Sequence, residues 1–262
     1  MPEILEIEFY RLHAEAVVGR TVAEVVADDA WFLKEGLDAA TLRAALIGRT
    51  FSAARRRGKL LLLDTDSGSG PVLGLRFGMT GRLIVETGAT VDDLIYGSNR
   101  DVPAWDRFTL GFEGGGDLRI RDPRRLGGVL LDPDEEALGP DALRLTLREL
   151  RTALGNSTAP LKARLMDQHR VAGLGNLLTD EILWRTGLAP EREARSLDDD
   201  EVKRLHRQIR SGLERMWARG GSHTGDLQEA RVRGGVCPKD GTPLLRRTIG
   251  GRTTYSCPLH QV

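Results

Sequence analysis

The chain has 262 residues, 40% of them hydrophobic and 29% charged, with 38 basic and 38 acidic side chains. That length suits two modest domains or one large one, and no apolar run approaches the ~20 residues of a membrane-spanning helix. Zero net charge argues by itself against a nucleic-acid partner, and an amino terminus carrying Glu in place of a basic stretch shows no secretory signal, so the sequence reads as intracellular.

The elements are predicted in chain order. Apolar positions at helical spacing give a helix over 3–18, closed by Gly19; TVAEVVA (21–27) alternates like a strand, and DAATLRAALIG (38–48) is a short helix. Strand-like runs follow: KLLLLDTD, PVLGLRFGMTGRLIVE, RFTLGFEGG, DLRIRD and GVLLD, separated by SGSG, GSNRD and EGGGD turn signals. This pattern predicts a two-layer β-sandwich or barrel behind a helix. The arginines of Arg55-Arg-Arg-Gly-Lys59 read as a charged loop, with Lys59 placed where the next strand begins.

Beyond DPDEE (132–136) the character changes. ALGPDALRLTLRELRTAL, PLKARLMDQHRV, LLTDEILWRTGL and DDDEVKRLHRQIRSGLERMWARG all read as helices, and Gly-rich turns with short strands return after Gly220. The expected domains are 1–131, 132–229 and a small module at 230–262. Charge follows the same division: residues 1–140 hold 17 Lys and Arg against 23 Asp and Glu, residues 141–262 hold 21 against 15, and 231–262 alone holds six against one. Of the basic residues 33 are Arg, whose planar guanidinium suits phosphate contact.

Four residue sets can carry chemistry. Cys237-Pro-Lys-Asp240 and Cys257-Pro-Leu-His260 form two knuckles that supply four ligands for a tetrahedral metal such as zinc; a metal-free hairpin with two buried cysteines fits the same residues. Gly250-Gly-Arg252 predicts a tight hairpin tip from which Arg252 projects towards a groove or phosphate. Gly173 and Gly175 precede Asn176 and a helix, so free N–H groups at that helix start can bind an anion. Pro2, once Met1 is removed, would present a secondary amine, a good nucleophile near neutral pH. Glu3 beside it can donate or accept a proton. Met79 in a Gly-flanked turn is either core or an apolar wedge for a base stack, and Arg124 and Arg125 share a further tight turn.

Taken together, PEILEIE, GKLLLL, GMTG, DPRRLG, LGPDAL, KARLMDQ, VAGLGN, DEIL and RTTYSC, in that order along nearly the whole chain, resemble the formamidopyrimidine-DNA glycosylase/endonuclease VIII family of base-excision repair enzymes. The resemblance implies an α+β multidomain fold: an N-terminal helix plus β-sandwich, a helix–two-turn–helix domain and a C-terminal β-hairpin zinc finger. It implies a glycosylase with abasic-site lyase activity acting on damaged double-stranded DNA, as a cytoplasmic, nucleoid-associated monomer of bacterial type. Pro2 would attack C1′ of a flipped nucleotide, Glu3 would serve as acid and base, Lys59 would assist at a phosphate and Glu6 would support the site. Asn176 and Arg252 would clamp phosphates; Met79, Arg124 and Leu126 would fill the place of the flipped base; Arg76 and Lys162 complete the expected DNA-binding set. A structural Zn²⁺ would be held by Cys237, Asp240, Cys257 and His260.

The chain also departs from that pattern. Leu5 replaces a second proline, Arg76-Phe77 replaces His-Leu, Leu126 replaces Phe, two zinc cysteines are Asp240 and His260, and the stretch from Gly220 to Cys237 is short. Oxidised purines, oxidised pyrimidines and bulky adducts therefore all stay open as lesions. A non-catalytic damage-binding protein on the same fold is the alternative of another class. An RNA- or ribosome-binding role is disfavoured by the presence of Pro2, Glu3 and Lys59.

Overall fold

The computed structural model describes residues 2–85, 88–89 and 100–262. It divides into two units, one of Met1–Pro2 with Glu6–Glu135 and one of Glu3–Leu5 with Glu136–Val262. No helix among the described residues is long and apolar enough to cross a membrane.

The first unit holds most of helix α1 (Ile4–Ala14), strand β1 (Val22–Val26), helix α2 (Ala39–Leu46) and strands β2 (Phe51–Arg57), β3 (Leu60–Thr65), β4 (Val72–Arg76), β5 (Arg82–Val85), β6 (Gly88–Ala89), β7 (Asp106–Phe112), β8 (Asp117–Arg121) and β9 (Gly128–Leu131). Two antiparallel sheets result, ordered β1-β7-β8-β5-β6 and β2-β3-β4-β9. Alternate residues of both sheets, with Ile7, Tyr10 and Ala14 of α1, bury one core. Leu61 and Leu63 enter that core, whereas Leu60 and Leu62 pack with Leu130 in a separate cluster. Burial on both faces is why Leu60–Leu63 form an unbroken apolar run.

Two expectations about the strands are corrected here. Arg55–Arg57 lie in strand β2 and not in a loop: they pair with Leu62, Leu61 and Leu60 of β3. Their head groups find carboxylates, Arg55 at Asp64 and Glu135 and Arg56 at Glu8, so a strand can carry three arginines on half-buried stems. Glu8, which bonds both Arg11 and Arg56, thereby ties α1 to β2. The run PVLGLRFGMTGRLIVE is two strands in different sheets, broken by the turn at 78–81. Its last residue, Glu86, and 97–99 of the GSNRD turn signal lie outside the described residues.

The second unit contains helices α3 (Leu147–Leu154), α4 (Leu161–Met166), α5 (Asn176–Thr186) and α6 (Asp199–Ala218), and the hairpin β10 (Leu245–Ile249) and β11 (Arg252–Ser256). Its core joins Ile4 and Leu5 to apolar residues of all four helices. The helix expected from residue 137 begins only at Leu147. Thr146 caps it, accepting from the Glu149 amide while the Glu149 carboxylate accepts from Thr146, and the backbone of Gly139 and Pro140 bonds instead to Gln168 and Ala172. The same reciprocal cap starts α6 at Asp198 and Glu201.

Candidate functional site

Helix α5 organises the second unit. Its first free amides, from Leu177 and Leu178, donate to the Glu3 carboxylate at 2.8 and 3.3 Å. The anion predicted for this helix start is therefore one supplied by the chain itself, in an arrangement that the helix dipole favours. Glu3 is fully buried. A Cβ on Gly175 would stand 2.3 Å from the Glu3 Cδ, and one on Gly173 2.4 Å from Ile4 Cδ1. Both glycines of VAGLGN thus make room for residues 3 and 4. Ile4 N–H also donates to Gly173 C=O at 3.1 Å. Gln168 braces the loop leading to α5, donating to Met166 and Leu174 carbonyls and accepting from Gly173 N–H. Asn176 is the first residue of α5 and is half-buried.

Lys162 is not surface-exposed, and its expected role as a direct DNA contact is corrected. It is wholly buried, with its ammonium 2.7 Å from Asp180, and it donates to Thr254 Oγ1 and the Thr253 carbonyl. Asp180 also pairs with Arg231 at 2.8 Å and accepts from Tyr255 N–H at 3.3 Å. Desolvation draws the Lys162 pKa below its ordinary value, opposed by Asp180. This buried cluster fastens strand β11 to α4 and α5. Gly250 and Gly251, both at positive φ, form the hairpin tip and leave Arg252 exposed beside it. Neighbouring Glu181 accepts from the amides of Asp226 and Leu227 and fixes the start of the following segment.

The four predicted metal ligands converge: one donor atom from each of Cys237, Asp240, Cys257 and His260 lies within 4.8 Å of the others. His260 Nδ1 is 2.9 Å from Asp240 Oδ2 and 3.7 Å from Cys237 Sγ, and Cys257 Sγ is 3.3 Å from the same Asp240 oxygen. The two sulfur separations match the ~3.3–3.8 Å edges of a tetrahedral zinc site, whereas the 2.9 Å from His260 to Asp240 is a hydrogen-bond distance. The imidazole reinforces the fit. Its Nε2 faces the Trp184 carbonyl at 3.1 Å, and a proton held there leaves Nδ1 available as a ligand. Trp184 Nε1–H donates to Cys237 Sγ at 3.3 Å, which suits a thiolate.

In the first unit Pro2 and Glu6 are buried at the start of the chain. Lys59 is half-buried next to Gly58 (φ 55°) in the β2–β3 hairpin turn. Met79 lies in the turn between β4 and β5, and Arg124 and Leu126 lie in the turn between β8 and β9, Arg124 exposed and Leu126 48% exposed. The structure brings these two turns together. A Cβ on Gly78 would be 2.4 Å from the Leu126 carbonyl carbon. Arg76 ends β4 and is exposed, 3.6 Å from Glu35.

Sequence reasoning missed Thr80, Asp122, Asp180, Glu181 and Arg231. Each is a polar residue whose importance lies in what it bonds inside the protein, and composition does not distinguish it from a surface residue. The positions of Thr80 inside GMTG, Asp122 inside DPRRLG, and Asp180 and Glu181 inside DEIL offered a signal.

Comparison with known proteins completes the picture. Residues 1–129 match the formamidopyrimidine-DNA glycosylase N-terminal domain and residues 137–227 its H2TH domain. Formamidopyrimidine-DNA glycosylase of Cereibacter sphaeroides is 34% identical, over 98% of this chain and 99% of the relative; that of Cytobacillus firmus is 31% identical over 98% of each. The Lactococcus lactis protein bound to DNA containing an abasic site superposes with a TM-score of 0.82 at 27% identity, over all of both chains. A complex of the same protein with N7-benzyl-Fapy-dG DNA gives 0.81 at 27% identity over 99% of each. On these matches, spanning both units and the hairpin, the chain belongs to the formamidopyrimidine-DNA glycosylase family.

Proposed function

We propose that this chain excises ring-opened or oxidised bases from duplex DNA and then cleaves the strand at the resulting abasic sugar. The observation that carries the reading is Glu3: a carboxylate next to Pro2 in sequence, buried and aimed by two α5 amides, with Gly175 leaving space for it. The damaged DNA held by the Lactococcus lactis relative supports the substrate class.

In this mechanism Met1 is removed and the Pro2 amine attacks C1′ of the flipped nucleotide. The bond from C1′ to the base breaks and the base leaves with a proton from water. The Glu3 carboxylate takes the proton that the attacking amine gives up and passes it to O4′ as the sugar ring opens, leaving an iminium at C1′. Loss of a C2′ proton then expels the 3′ phosphate, and water releases the sugar. Lys59, Asn176 and Arg252 hold phosphates, Arg76 adds positive charge, Glu6 supports the N-terminal segment, and Met79, Arg124 and Leu126 fill the vacated base position. Cys237, Asp240, Cys257 and His260 would hold a structural zinc, which would stabilise the hairpin module and supply no step of the reaction. About one zinc per chain is expected by metal analysis, and less than about half an equivalent would favour a metal-free finger.

The test is an excision panel on duplexes carrying a ring-opened purine, 8-oxoguanine or an oxidised pyrimidine. Excision of at least one is expected, with Glu3→Gln slowing it at least ~100-fold. Binding of these duplexes without excision would favour the non-catalytic damage binder.

A further inference from the structure

Asp122 is wholly enclosed yet has no part in the chemistry above. One of its oxygens accepts from the Thr80 hydroxyl and, at 3.2 Å, from the Arg124 amide; the other accepts from the Gly127 amide at 2.8 Å. Thr80 follows Met79, whereas Arg124 and Gly127 bracket Arg125 and Leu126. A single carboxylate therefore joins the turn carrying Met79 to the turn carrying Arg124 and Leu126. Strand pairing sets the two turns side by side only at their bases, Arg76 opposite Gly128 and Arg82 opposite Arg121; between the turns themselves the Asp122 carboxylate is the tie.

Further contacts close the joint. Gly78, at φ 56°, lies against the Leu126 backbone so tightly that no side chain fits, and a Cβ on Gly127 would be 2.4 Å from the Arg76 carbonyl. Arg125, also at positive φ, makes a two-pronged ion pair with Asp29. On the other side, the buried Tyr10 hydroxyl donates to the Gly81 carbonyl at 3.2 Å, and Tyr10 stacks on Phe77 with ring centroids 4.5 Å apart. Burial, with Glu6 adding to it, holds the Tyr10 pKa far above its ordinary value, so the hydroxyl stays a donor.

We infer that Asp122 and Thr80 are positioning residues that latch the two turns into one body, so that Met79 and Leu126 enter the DNA as a single wedge. This rests on the reading of Met79, Arg124 and Leu126 as the side chains that replace the flipped base. Two turns paired only at their bases would each lose freedom at the tip on insertion; a latched wedge loses it once.

Thr80→Val tests the latch, since it keeps the shape of a buried residue and deletes only the hydroxyl. Hydrogen exchange on the DNA-free protein should quicken about tenfold at the amides of 78–81 and 124–127 together, and Thr80→Ser should restore protection. With a duplex carrying 2-aminopurine beside an abasic analogue, the fluorescence rise that reports insertion should slow about tenfold in Thr80→Val. The coupling between Met79→Ala and Leu126→Ala in a double-mutant cycle on insertion should collapse in that background. Faster exchange in only one turn, or unchanged insertion and coupling in a folded Thr80→Val protein, would overturn the latch. Absence of any base excision by the unaltered chain would instead defeat the glycosylase reading, leaving the exchange experiment to decide whether the turns are joined.

Discussion

Buried charge is used differently in the two units. In the second, Glu3, Lys162, Asp180 and Glu181 are each 3% exposed or less, and each joins a helix to a loop, a strand or the N-terminal segment. In the first, strands are joined by backbone pairing, and ion pairs such as Arg55–Asp64 and Arg119–Asp117 lie at the rim. The physical reason is that a helix spends its backbone groups on itself, so what packs against it must be fastened by side chains or by free helix ends. A strand offers its edge directly. Asp122 supports the rule from within the sandwich unit, since it joins two turns beyond the last paired residues of β4 with β9 and β5 with β8.

Asp180→Ala should break this comparison most visibly. It strands Lys162 and Arg231 without their buried partner and should cost about 3–5 kcal/mol in denaturant unfolding. Asp64→Ala, which releases a half-exposed Arg55, should cost no more than about 1 kcal/mol. Similar losses would remove the distinction.

A smaller stability effect with a larger functional one is expected from Gly175→Ala. Its Cβ would overlap Glu3, so excision should fall about 100-fold for about 1–3 kcal/mol of stability. Gly212→Ala in α6, where the nearest heavy atom would be 3.8 Å away, should be neutral or stabilising by up to about 1 kcal/mol. Equal excision rates in the two variants would separate Glu3 from the chemistry.

The smallest effect concerns pH. The Arg125 guanidinium holds the Asp29 carboxyl below its usual range. A lowered folded-state pKa contributes stability that is fully present above the unfolded value near 4 and is lost as pH falls through the folded one. Asp29→Asn should therefore flatten part of the acid limb and leave stability at pH 7–8 independent of pH. A change confined to neutral pH would contradict the assignment.

These contrasts also explain what could be read from sequence. The sandwich was legible because its two-residue alternation and the LLLL run report burial directly, and the hairpin tip because Gly250 and Gly251 admit few other conformations. The convergence of Cys237, Asp240, Cys257 and His260 was legible because matched knuckle spacing leaves few other geometries. The strand of Arg55–Arg57 was hidden, since Arg55 and Arg56 are neutralised by Asp64, Glu135 and Glu8, residues distant in sequence. Lys162 was misplaced for the same reason: a lysine reads as surface unless its buried carboxylate is known. Asp122 and Thr80 could not be seen as partners across 42 residues.

The most direct test of the central claim is borohydride reduction of the protein mixed with abasic duplex, followed by peptide mapping of the product. The account predicts a stable covalent complex with the sugar attached at the Pro2 nitrogen. No complex, or attachment at a lysine such as Lys59, would contradict it.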